Sequence, residues 1–141
     1  MQAQLTYDGK AQDSDCARLL VHSWRLTMAH GAECPLIASK FRCSCGVGAD
    51  RVFCAFRVFL RVLALSQRQR LRANPPGQAT LTADEVRLLT LIAAAQNDYP
   101  ATLDAHLGWL AGPSLRKALE NSVRELAGLL RDAGQRLPVP T

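Results

Sequence analysis

The sequence predicts an all-α chain: a single-domain bundle of about five helices, with an irregular Cys/Gly-rich loop between the first and second long helices. Three observations predict it. Apolar residues recur at helical spacing in five segments, each bounded by a capping residue or by a glycine or proline breaker. No segment shows the apolar–polar alternation of a half-buried strand. Hydrophobic residues make up 48% of the chain but aromatic residues only 6%, so the core falls largely to Leu, Val and Ala, a set that favours helices. With 141 residues the chain can bury one core without disulfide help.

The elements follow in order. Residues 1–12 are polar and read as a flexible lead. Residues 13–134 form the helical domain, and 135–141 an extended tail. Asp13 or Ser14 caps a first helix over 15–30, which Gly31 stops. The stretch 32–49 reads as loop, with one helical turn over 36–40. Its glycines, Gly46 and Gly48, allow sharp bends. Asp50 opens a second long helix that runs to Arg72. Asn74-Pro75-Pro76-Gly77 breaks the chain. Thr82 and Glu85 then form a capping box, with Leu81 and Val86 as its hydrophobic staple, and start a helix to residue 96. That helix is apolar on most sides, which places it at the centre of the core. A short helix covers 101–111. Ser114 caps a last helix over 114–133, and Gly134 ends it.

Charge is uneven. Residues 1–79 hold 11 basic and 5 acidic side chains, whereas 80–141 hold 6 and 7. The segment 40–72 alone has 8 basic residues and one acid, Asp50. An anionic partner, such as a nucleic acid, should therefore meet the middle of the chain. The lead has no apolar stretch of the kind a secretory signal needs. The most apolar run, 52–65, carries Arg57 and Arg61 and is too short to span a bilayer. These features predict a cytoplasmic protein without membrane contact, whose five cysteines are thiols or ligands rather than a disulfide framework.

Two features carry chemistry. His30, Cys34, Cys43, Cys45 and Cys54 follow the spacing His-x3-Cys-x8-Cys-x-Cys-x8-Cys. Zinc takes four thiolate or imidazole ligands in a tetrahedron, and this segment supplies enough soft donors to hold a structural or sensory zinc ion. The Cys43/Cys45 pair also reads as a dithiol. Cys54, one turn into a helix and followed by Arg57 and Arg61, reads as a thiolate favoured by the helix dipole. The plainest alternative is that all are packed thiols. The second feature is an arginine stripe, Arg57, Arg61, Arg68 and Arg72, on one face of the 50–72 helix. Its forked guanidinium groups suit phosphate or carboxylate oxygens. The plain alternative is a solvated helix face.

Leu81-Thr82, Asp84-Glu85 and Leu88-Leu89, followed by a short and then a longer helix, resemble the helical part of a winged-helix DNA-binding domain. The resemblance covers about half the chain and implies DNA contact through the 114–133 helix. That helix carries 4 basic and 3 acidic residues. No phosphate-binding loop, dinucleotide fingerprint, zinc-protease motif or nucleophile elbow is present. Three functions remain open: a small non-enzymatic regulatory or adaptor protein with a cysteine cluster, a nucleic-acid-binding regulator, and a thiol redox protein. The apolar residues Val123, Ala127 and Leu129, beside the seam Leu115, Leu119, Leu126 and Leu130, add the expectation of a homodimer through 114–133.

Overall fold

The computed structural model describes residues 14–66 and 70–138. Within them lie α1 (Asp15–His30), α2 (Pro35–Cys45), a 3-10 turn (Gly46–Gly48), α3 (Ala49–Ser66), α4 (Ala83–Gln96), α5 (Pro100–Leu110) and α6 (Pro113–Asp132). The expected all-α bundle is thus the fold. Among the described residues there is no β-strand. None of the helices is long and apolar enough to cross a membrane. The expected flexible lead, 1–12, lies outside the described residues.

Helix α4 is the centre, as its all-round apolar sequence predicts. Leu91, Ala93 and Ala94 are wholly buried, and α1, α5 and α6 pack around it. The capping box forms as expected. Glu85 N donates to Thr82 Oγ1 at 3.0 Å, and Thr82 N donates to Glu85 Oε1 at 2.8 Å. The broadest packing is α3 against α6. Val123 and Ala127, expected on a dimer seam, are buried in this chain's own core. Of the apolar residues expected on the seam, Leu115 and Leu129 are half-buried.

Two boundaries differ from expectation, each for a physical reason. The expected irregular loop over 32–49 is mostly helix α2. Pro35 sits in its first turn, where its missing N–H costs nothing. Ile37, Phe41 and Cys45, spaced by four, form a thin buried stripe. Phe41 anchors it, with ring centroids 5.6 Å from Phe53 and 5.1 Å from Phe56. The second correction is the end of α3. The described helix runs to Ser66, residues 67–69 lie outside the described residues, and residues 70–72, expected to be helical, are not. Instead that segment docks on the start of α4: Leu71 is buried, Arg72 N donates to Asp84 Oδ2, and Thr82 Oγ1 donates to the Arg72 carbonyl. Tertiary contacts override the local helical preference there. A smaller difference is at α6, whose N-cap is Gly112 with Pro113 following, not Ser114.

Below this docked segment lies a buried ion pair. Arg25 on α1 and Glu85 on α4 are almost fully shielded from water. Arg25 Nε and Nη2 donate to the two Glu85 oxygens at 2.7 and 3.0 Å. Its Nη1 and Nη2 also donate to the carbonyls of Gln78 and Thr80. Glu85 Oε2 accepts from Asn74 N as well. This network fixes the proline-containing crossing between α3 and α4 to the bundle.

Candidate functional site

Helix α1 turns Asp15, Arg18 and His22 outward at positions i, i+3 and i+7, one face of a helix. Helix α2 lies alongside and presents Ser39, Lys40, Cys43 and Ser44 toward the same space. Together they line a cleft of about 740 Å³, to which Gln135 from the C-terminal segment adds a further wall. Gln135 is carried there by a glycine-terminated helix end: Gly134 has φ 81°, and Gln135 N donates to the Leu130 carbonyl at 2.8 Å. Its Nε2 then donates to the Ser44 carbonyl at 2.9 Å. Its Oε1 is buried and has no hydrogen-bond partner among the described residues.

The cleft is cationic. Arg18 pairs with Asp15 on the same helix, an exposed pair of little energetic weight. Lys40 has no ion pair among the described residues. His22 is held below its ordinary pKa, first by burial and then by the positive charges of Lys40, Arg25 and Arg18, with Glu85 opposing them. Buried Arg25 therefore contributes field to the cleft although its donors are used elsewhere.

The cysteines are dispersed. His30 ends α1 in solvent, and Cys34 caps α2, half-buried against the core. Cys43 is exposed on the cleft wall, whereas Cys45 is buried and its thiol pushed up by burial. Two residues apart on a helix, these two do not face each other. Cys54 is exposed beside Arg51 and Glu125 in a groove between α3 and α6. Arg57 and Arg61 line a different groove on the α1 side of α3. Among the described residues no group of three or more His, Cys, Asp or Glu side chains is placed to hold a metal ion. The fifth cysteine, Cys16, is the thiol whose surroundings change most. Burial on the inner face of α1 pushes it from 9.0 up to about 12, and neighbouring Cys45 adds to the effect.

The arginine stripe also separates. Arg57 Nη2 donates to Glu33 Oε2 at 3.0 Å, and its guanidinium carbon lies 5.6 Å from the Phe53 ring centroid. Arg61 is exposed one turn on, with no ion pair or hydrogen bond among the described residues. Arg68 lies outside the described residues. Arg72 has left the helix for the docked segment. On α6, the basic residues Lys117 and Arg124 both pair with Glu120.

In comparisons with known proteins, no family model, no curated protein and no solved structure matches the chain.

Proposed function

We propose that this chain is a small non-enzymatic regulatory or adaptor protein that holds an acidic segment of a partner protein in the α1–α2 cleft. One observation carries the reading: Arg18 and Lys40 line the same open cleft, and Lys40 has no ion pair among the described residues. The cations suit carboxylate side chains. Ser39 and Ser44 add hydroxyl groups to the same walls. The depression is open to solvent, so a chain segment can reach it.

Fluorescence polarisation with a labelled hexaglutamate peptide tests this. The expected result is saturable binding that weakens as salt rises. Lys40→Glu should weaken it by roughly tenfold or more, since it replaces attraction by repulsion. A flat titration overturns the proposal. Tighter binding of a single-stranded oligonucleotide than of the peptide transfers the cleft to the nucleic-acid reading.

A further inference from the structure

We propose that a second groove, between the C-terminal end of α1, α2 and α3, is a binding site for a small amphiphilic carboxylate such as a medium-chain fatty acid. It shares no lining residue with the α1–α2 cleft and does not depend on the function proposed there.

The sequence of α3 builds this groove. Phe53, Phe56 and Leu60 recur at spacings of three and four and so form one apolar wall. Ile37 of α2 closes it from the other side. Ile37 and Phe56 are buried, while Phe53 and Leu60 are only half-covered by the protein itself. Apolar carbon thus remains open to water in a concave place, where a hydrocarbon tail gains by displacing that water. The groove encloses about 230 Å³. That is below the roughly 300–1,000 Å³ of drug-sized pockets, so the ligand is small.

Charge chooses its head group. Arg57 and Arg61 stand one turn apart at the groove's edge. Glu33 neutralises Arg57 and helps to hold it over Phe53. The Arg61 guanidinium has no partner among the described residues. An uncompensated cation beside an apolar wall is the complement of a fatty acid: tail on Phe53, Phe56 and Leu60, carboxylate on the Arg61 fork. A free inorganic anion gains nothing from the wall. A neutral alcohol can accept a hydrogen bond from Arg61 but gains no charge attraction from it.

Isothermal titration of the full chain with octanoate, below its aggregation concentration, tests the assignment, with octan-1-ol as the neutral counterpart. One octanoate should bind per chain. Arg61→Gln should weaken it roughly tenfold, the usual scale for one charge-assisted hydrogen-bonding contact. Octanol should bind more weakly than octanoate and lose less affinity than octanoate does on Arg61→Gln. Ala32→Trp, at an exposed turn position that lines the groove, should fill the site and abolish binding while leaving the fold intact. No saturable octanoate binding overturns the proposal. So does equal affinity for octanol, or octanoate binding unchanged in both variants.

Discussion

Helix α1 carries its cations into two opposite situations. Toward α4, Arg25 is sealed from water, and its donors meet two carboxylate oxygens and two carbonyls. Toward α2, Arg18 is half-exposed with only Asp15 beside it, and Lys40 faces it across the cleft without an ion pair among the described residues. A charge taken from water must have its hydrogen bonds supplied by the protein, and at Arg25 they are. A charge left at the rim of an open cleft keeps its solvation and its capacity for a partner. The same residue class is thus a structural fastener on one side of the helix and a solvated cleft-side charge on the other. What separates them is burial and the completeness of the hydrogen-bond set.

The largest expected break is at the fastener. Glu85→Ala leaves the Arg25 guanidinium buried and unpaired, and removes the carboxylate that Asn74 N and Thr82 N donate to. Loss of one partner from a buried pair costs about 3–5 kcal/mol, read as a lower denaturation midpoint in urea. The double change Arg25→Met with Glu85→Leu should recover part of that loss, because no charge then remains buried. If Glu85→Ala unfolds at the wild-type midpoint, the network does not secure the crossing.

The next effect concerns the inner face of the same helix. Cys16 keeps its proton to about 12, whereas an unfolded chain releases it near 9.0. Above that value the unfolded state therefore binds fewer protons, and stability is lost as pH rises from 9 toward 12. At pH 10 the loss from this one group is about 1–2 kcal/mol. Cys16→Ala should flatten the alkaline limb of the stability–pH curve, independently of any offset it causes at pH 7. An unchanged limb would place the thiol in contact with water.

His22 sharpens the contrast by acid titration. Its folded pKa is below its ordinary 6.5, so the unfolded state takes up the proton first and stability declines as pH falls through and below 6.5. An acidic peptide in the cleft offsets the field of Lys40, Arg25 and Arg18 and should raise the His22 pKa. Peptide affinity should then increase from pH 7 to pH 6, and His22→Gln should remove that increase. Affinity independent of pH would put the peptide out of reach of His22. The smallest expected effect on stability is at the cleft: Lys40→Glu should leave the urea midpoint within about 0.5 kcal/mol of wild type. A large drop would show that Lys40 is a fastener too.

The parts of the fold written in local signals were legible. Thr82 and Glu85 announced the start of α4, and its unbroken apolar sequence announced its central place. Gly31 and Gly134 marked helix ends that the structure keeps. The parts written in long-range contacts were not. Arg25 has an ordinary surface-type sequence context, and its partner is 60 residues away. Helix α2 rests on three apolar residues among cysteines and serines, so it read as loop. With α2 read as loop, the opposite wall of the cleft had no place, and Arg18 and Lys40 were not singled out. The signal available was the spacing of Asp15, Arg18 and His22 on one outward face of α1. The cysteine spacing suggested a gathered set, yet helix geometry sends Cys43 and Cys45 to different faces. The arginine stripe relied on a helix reaching Arg72, and residues 70–72 are not helical. Of it, Arg57 and Arg61 remain together.

The link between Gln135 and the Ser44 carbonyl spans 91 positions of the chain. Buried Gln96 holds the same segment: its Nε2 donates to the Gln135 carbonyl at 2.8 Å, and its Oε1 accepts from Leu137 N at 2.7 Å. Closing so long a loop costs chain entropy that only an already assembled bundle repays. This wall of the cleft is therefore among the last parts of the molecule to form. In a refolding experiment followed by pulsed hydrogen exchange, protection of the Leu137 amide should lag behind that of the α4 amides. Until that segment docks, the cleft lacks the wall that Gln135 supplies.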